Sequence, residues 1–208
     1  VPSKILEHNL FGVDLDLRAC QLAAFNLYLK ARTCAEAHGA SSFEMPQIGI
    51  VCADVHDIDT DRAHTIFDEV AGTNSKTRDL LDEMVDTFTE TPGLGSLFDP
   101  KAPFRKAFEE RGAELDAVHG SDLPGLFQDI RDSVEENNQN GSFAAADLKS
   151  FARLLVLLSQ EYDVTLMNPP YGRGGRMPDI VQDYVEEHYG YGTQFYINFF
   201  EADERLSK

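Results

Sequence analysis

The stretch that most constrains the fold is the run YDVTLMNPPY at residues 162–171. Its apolar part, Val164–Met167, predicts a short buried strand, and a proline-rich corner follows at the carboxyl end of that strand. Ligands bind at this end of the strands in open α/β sheets. Because proline removes a backbone donor and holds φ at about −65°, the corner presents carbonyl oxygens in a stiff frame. The side-chain oxygen of Asn168 and the carbonyl oxygen of Pro169 can then accept from one planar amino group, while Tyr171 can stack on the flat ring that carries it.

These residues resemble motif IV of the S-adenosylmethionine-dependent amino-methyltransferases, above all the N6-adenine DNA methyltransferases. The shared pattern is Asp-Val-x-x-x-Asn-Pro-Pro-Tyr-Gly, which occupies residues 163–172. The resemblance implies that Asn168, Pro169 and Pro170 form the catalytic corner and that Tyr171 stacks on a flipped-out adenine. Flipping is needed because the target atom is inaccessible within a duplex. The implied reaction is a methyl transfer from S-adenosylmethionine to the adenine amine, without a metal ion.

Three alternatives stay open on this corner. An Asn-Pro dipeptide is also an ordinary turn signal. The same tetrapeptide occurs in methyltransferases that modify RNA or a glutamine side chain of a protein, so either substrate fits the chemistry. The third alternative is a catalytically inactive, acidic binding module on a methylase scaffold.

A strand followed by a helix is predicted near the start of the chain. The apolar run Leu10–Asp14 ends in acids, and Arg18–Arg32 has apolar residues at helical spacing. This unit resembles methyltransferase motif II, which implies that Asp14 accepts from the ribose hydroxyls of the cofactor. Asp16 could instead cap the helix, as short acids often do, and capping is also the alternative role for Asp14.

A second strand is predicted in the run IGIVCAD at residues 48–54. Continuous apolar runs of this kind are typical of parallel strands buried on both faces. The resemblance to methyltransferase motif III implies that Asp54 accepts from the adenine amine of the cofactor. Because Asp57, Asp59 and Asp61 follow closely, Asp54 could also be one of several solvated acids. We expect Leu10–Asp14, Gly49–Ala53 and Val164–Met167 to be parallel strands, with no strand in residues 1–8.

Two segments after the corner have open roles. Residues 172–176, GRGGR, form the most basic short stretch of the chain, and Arg173 and Arg176 can contact DNA phosphates or lie in a solvated loop. The aromatic run Gln194–Glu201 predicts a helix packed on the sheet.

A narrower resemblance concerns Gly95–Leu97 and residues 177–189, which are similar to the PglX family of BREX phage-defence methyltransferases and to type IIG restriction-modification enzymes. It implies a division into residues 1–58 (motifs II and III), an acidic helical insertion at residues 59–160, and residues 161–208 (motif IV). No glycine-rich motif I precedes Asn9, so we expect a fragment that is inactive alone. The predicted fold class is α/β, a partial Rossmann-like sheet with a mostly helical insertion.

The charge of the chain does not match that of a typical DNA-binding protein. It has 36 acidic residues against 18 Lys and Arg, a net charge of −18, and residues 57–150 alone hold 21 acids and nine basic residues. Binding to DNA relies on neutralising phosphates. An acidic insertion could reflect a salt-loving source, a protein-docking surface or DNA mimicry. Helices are predicted there at Arg62–Ala71, Ser75–Phe88, Pro103–Arg111, Leu123–Glu136 and Ser142–Gln160.

Composition excludes several other classes. Three widely spaced cysteines without a Cys-x-x-Cys pair indicate neither a disulfide framework nor a zinc site. No apolar run is long enough for a membrane span, and no signal peptide pattern is present. We therefore expect a cytoplasmic protein. The family resemblance implies that its partners are DNA and other defence-system proteins.

Overall fold

A computed structural model describes residues 2–55, 58–111, 123–137, 143–169, 178–191 and 195–208. The chain divides into two compact units, Val1–Asp54 and Val55–Lys208. The predicted boundaries at residues 58 and 160 stay a prediction.

The smaller unit is built on a pair of parallel strands. Its elements are α1 (Pro2–His8), β1 (Phe11–Asp14), α2 (Leu17–Ala37) and β2 (Gly49–Cys52). Phe11 lies opposite Gly49 and Asp14 opposite Cys52. A side chain at position 49 would collide with the ring of Phe11, so this register requires glycine there. The parallel pairing of the first two predicted strands is confirmed, and residues 2–8 form a helix rather than a strand.

The larger unit is helical in its described part. Its helices are α3 (Thr60–Ala71), α4 (Ser75–Glu90), α5 (Ala102–Arg111), α6 (Leu123–Asn137), α7 (Phe143–Ser159), α8 (Asp179–His188) and α9 (Phe195–Leu206), with a 3₁₀ turn at Gly95–Leu97. The side chain of Asp59 caps α3, and that of Asn74 caps α4. The five helices predicted between residues 62 and 160 are confirmed, as is the aromatic helix near the C-terminus. Helix α8 was not predicted.

Helix α7 forms the centre of the larger unit. Leu154 and Leu155 are fully buried, as expected for a helix that is apolar on nearly all faces. Phe151, also fully buried, meets Phe88 and Phe98 at ring-centroid distances of 5.0 and 6.2 Å, and the rings of Phe88 and Phe98 lie 5.0 Å apart. This aromatic cluster joins α4, α7 and the segment after the 3₁₀ turn.

The predicted strand at Val164–Met167 is wrong for the described structure. Tyr162 forms an isolated parallel bridge with Ser207, and the pairing does not continue toward the corner. Val164 and Leu166 are 77% and 95% exposed. A strand needs a neighbouring backbone and a covering layer, and within the described residues the run 163–168 has neither. An apolar run was therefore not sufficient to place this segment in a sheet.

The carboxylate of Asp99 is buried beneath two arginines. Its Oδ2 accepts from Arg105 Nη2 and from Arg205 Nη1, and its Oδ1 accepts from the backbone N–H of Lys101 at 3.0 Å. The N–H of Asp99 donates to the Tyr184 hydroxyl at 3.1 Å. Burial alone would raise the pKa of Asp99, but the hydrogen bond from Arg105 and the charge of Arg205 outweigh it and hold that pKa below its ordinary value. This Asp99 cluster therefore ties α5, α8 and α9 to the segment after the 3₁₀ turn.

Replacing Phe151 with alanine should lower the free energy of unfolding by about 3–5 kcal/mol, because it removes a fully buried ring and leaves a cavity. Phe200→Ala is the matched control: because Phe200 is 56% exposed, this change should lower the free energy of unfolding much less. Urea unfolding followed by circular dichroism measures both. Equal losses in the two variants would contradict the burial described here.

The Asp99 cluster should make stability depend on pH in the acid range. The folded pKa of Asp99 lies below its unfolded value of about 3.9, so protonation favours the unfolded state between these values. The stabilisation is complete above the unfolded pKa and is lost as pH falls through the folded pKa. Asp99→Asn should flatten the acid limb of a plot of unfolding free energy against pH. An unchanged acid limb in this variant would contradict the assignment.

Candidate functional site

One candidate site, in the smaller unit, lies where β1 ends. Asp14 is exposed, and its Oδ1 accepts from the backbone N–H of Asp16 at 2.7 Å. Its Oδ2 has no hydrogen-bond partner among the described residues. Asp16 is the N-cap of α2, where its Oδ1 accepts from the N–H of Arg18 at 2.8 Å and its Oδ2 pairs with the Arg18 guanidinium at 3.1 Å. The hydrogen bonds from Arg18 lower the pKa of Asp16. The capping role thus belongs to Asp16, and Asp14 keeps one carboxylate oxygen open.

Asp54 lies two residues beyond β2, at the same edge of the sheet. The ladder continues one step past the strand, since the N–H of Ala53 donates to the carbonyl of Asp14 at 2.9 Å. Asp54 is exposed and borders an open cleft of about 460 Å³ lined by Leu15, Asp16, Leu17, Arg18 and Asp54. The parallel register therefore brings the acids that follow both strands to one apolar and acidic cleft.

Two thiols lie beneath this edge. The Sγ of Cys20 is 3.6 Å from the Val51 carbonyl oxygen and 3.8 Å from that of Asp14, and the Sγ of Cys52 is 3.7 Å from the Leu15 carbonyl oxygen. Burial raises the pKa of Cys20 to about 11, so this thiol stays protonated and can donate weakly to these carbonyls. Cys20, Cys34 and Cys52 are free thiols. Sequence patterns gave no sign that Cys20 and Cys52 support the two strand ends.

A separate candidate site is the corner in the larger unit. Asn168 is exposed and Pro169 is buried, so the amide side chain is accessible while the next ring is held in the protein. The other predicted site residues of this region, Pro170, Tyr171, Arg173 and Arg176, lie outside the described residues. Their roles stay predictions.

The acids of α3 and α4 form an exposed face. Their members outside the core are Asp61, Asp68, Glu69, Asp79, Glu83, Asp86 and Glu90. A phosphate backbone would be repelled from this face at low salt.

Two kinds of feature are absent from the described residues. No group of three or more His, Cys, Asp or Glu side chains that could hold a metal ion occurs there. No described helix is both long enough and apolar enough to cross a membrane.

Known proteins match nearly the whole chain. It is 26% identical to "Adenine-specific methyltransferase PglX" of Lacticaseibacillus casei (strain Zhang) over 98% of its length, and 28% identical to "Adenine-specific methyltransferase BrxX" of Escherichia coli O9:H4 (strain HS) over 91%. The chain spans 16% of the length of each of these relatives. The family model described as Eco57I restriction-modification methylase matches residues 8–208. The chain belongs to the Eco57I restriction-modification methylase family.

Proposed function

We propose that this chain carries part of the active site of an adenine-specific DNA methyltransferase that acts in a restriction-modification or BREX phage-defence system. One observation carries the proposal: the family match over residues 8–208 includes a corner whose Asn168 is exposed and whose Pro169 is buried. The names of the two relatives support adenine as the substrate base. In the same proposal, β1 and β2 belong to a Rossmann-like sheet of the complete enzyme.

The strand-end cleft fits the adenosine part of S-adenosylmethionine. Leu15 and Leu17 supply apolar lining for a flat ring, and the carboxylate of Asp54 can accept from its amino group. The open Oδ2 of Asp14 can accept from ribose hydroxyls, whereas both oxygens of Asp16 are held by Arg18. The donors of the ligand would thus meet carboxylate acceptors at this edge of the sheet.

The corner would act on the adenine amine nitrogen, which attacks the methyl group of S-adenosylmethionine. S-adenosylmethionine, when bound, would supply the methyl group: the amine nitrogen would form a bond to the methyl carbon as the S–C bond breaks, S-adenosylhomocysteine would leave, and the amine would lose one proton. The Oδ1 of Asn168 and the carbonyl of Pro169 would accept from that amine and favour a more pyramidal, more nucleophilic nitrogen. Both contacts strengthen as positive charge develops on the nitrogen, so they stabilise the transition state more than the ground state. Tyr171 would hold the extruded base, and Arg173 and Arg176 would contact DNA phosphates.

Asn168→Ala in the complete enzyme should lower the single-turnover rate of adenine methylation by on the order of a hundredfold or more, because it removes one oriented polar partner of the transition state. Affinity for S-adenosylmethionine should hardly change. Asn26→Ala, on the exposed surface of α2, is the matched control and should keep the wild-type rate. If the Asn168→Ala variant methylates adenine at the wild-type rate, the corner is a structural turn and not a catalytic element.

Asp14→Asn should weaken binding of S-adenosylmethionine to the complete enzyme by about tenfold to a hundredfold. The change keeps the acceptor for the Asp16 N–H but removes a charge-assisted hydrogen bond worth about 1.5–3 kcal/mol. Asp61→Asn, an exposed acid in the first turn of α3, should leave the affinity unchanged. Titration calorimetry measures both constants, and equal affinities for wild type and Asp14→Asn would remove Asp14 from the cofactor site.

A further inference from the structure

We propose that Arg205, held by the carboxylate of Asp99, is a positioning residue for the Asn168 corner. Arg205 fixes the segment that enters the corner and does not itself touch the substrate. This inference rests on the proposed function of that corner.

The segment before the corner is fastened to the end of α9. The N–H of Tyr162 donates to the carbonyl of Leu206 at 2.7 Å, and the N–H of Lys208 donates to the carbonyl of Tyr162 at 3.1 Å. The hydroxyls of Thr165 and Ser207 lie 3.1 Å apart. The ammonium of Lys208 pairs with the Asp163 carboxylate at 3.0 Å. Residues 206–208, called the clamp below, thus hold residues 162–165 through backbone and side-chain contacts.

Packing adds little to the clamp along this segment. Val164 and Leu166 are 77% and 95% exposed, so their side chains bury little surface that could fix the backbone. The described anchors of the run into Asn168 are therefore the clamp and the Tyr162 hydroxyl, which donates to the Leu157 carbonyl at 2.8 Å, at one end, and the buried ring of Pro169 at the other. A displacement of the clamp would be transmitted to Asn168.

Arg205 immediately precedes the clamp and fixes the last turn of α9. Its Nη1 donates to the Asp99 carboxylate, whose side chain is 7% exposed, and its guanidinium carbon lies 4.2 Å from the centroid of the Tyr189 ring. The Tyr189 hydroxyl in turn donates to the Leu97 carbonyl at 2.6 Å. A buried ion pair is costly to break, because the remaining charge is left without its partner. The direction of the α9 end is therefore set by Asp99 and Tyr189.

The 3₁₀ turn at Gly95–Leu97 gains a role from this arrangement. It places the Leu97 carbonyl where it accepts from the Tyr189 hydroxyl. It also leads directly to Asp99, whose carboxylate accepts from Arg205. The turn at Gly95–Leu97 therefore helps to fix the position of the C-terminal end of α9.

Arg105 provides the matched comparison. It donates to the same Asp99 oxygen as Arg205, yet it lies on α5 and does not adjoin the clamp in the chain as Arg205 does: among the described residues its side-chain hydrogen bond and ion pair are with Asp99. Loss of either arginine removes one ion pair from Asp99. Loss of Arg205 alone also releases the end of α9.

The rate of methyl transfer should respond to this difference. A displacement of about 1 Å at a reacting group can cost on the order of a hundredfold in rate. In the complete enzyme, Arg205→Gln should lower kcat by about tenfold or more, with the KM for S-adenosylmethionine unchanged. Arg105→Gln should keep kcat within about twofold of wild type. Arg205→Lys keeps a cation at Asp99, so its kcat should fall less than that of Arg205→Gln. If the Arg205→Gln variant does not fold, Arg205→Lys takes its place in the test.

A double variant separates positioning from a general loss of structure. If Arg205 acts through Asn168, then Arg205→Gln should have almost no further effect on kcat in an Asn168→Ala background. Multiplicative losses in the double variant would overturn the proposal, as would equal kcat values for Arg205→Gln and Arg105→Gln.

Hydrogen exchange gives a second test that does not depend on activity. The amide of Tyr162 should exchange at least several-fold faster in Arg205→Gln than in wild type, and at the wild-type rate in Arg105→Gln. Unchanged exchange in Arg205→Gln would overturn the proposal. A wild-type rate in Asn168→Ala would instead overturn the proposed function, so the two failures are distinguishable.

Discussion

The buried carboxylate of Asp99 is the interaction on which the larger unit most depends. An ionised carboxylate out of water is costly unless charges and hydrogen-bond donors surround it. Here the compensation comes from the nearby backbone of Lys101, from Arg105 on α5 and from the distant Arg205 on α9. The carboxylate is satisfied only when the segment that precedes α5, α5 itself and α9 are assembled together, which makes their docking cooperative.

The smaller unit depends on a different constraint, the register of two short parallel strands. A two-stranded sheet is marginal alone, and α1 and α2 pack beside it. Gly49 admits the Phe11 ring, which sets the pairing, and the pairing places the residues after both strands at one edge. The open oxygen of Asp14 and the cleft at Asp54 are consequences of that register.

Sequence patterns predicted the elements whose signals are local. The strands of the smaller unit were recognisable because apolar runs end in acids, and the helices of the insertion because apolar residues recur at helical spacing. The assignment of the cap to Asp16 rather than Asp14 required the actual direction of two side chains. The role of Asp99 had no local signal, because its arginine partners lie six and 106 residues away. The run Val164–Met167 failed for the converse reason: its pattern is local, but a strand requires a distant partner.

That run has a consequence for how the chain behaves in solution. Val164 and Leu166 are exposed, and their backbone groups have no hydrogen-bond partner among the described residues. Extended backbone with open donors and acceptors, flanked by apolar side chains, is a template for intermolecular strand pairing. The high negative charge of the chain opposes such association between copies, but salt screens that repulsion. The tendency of this chain to aggregate should therefore increase with ionic strength.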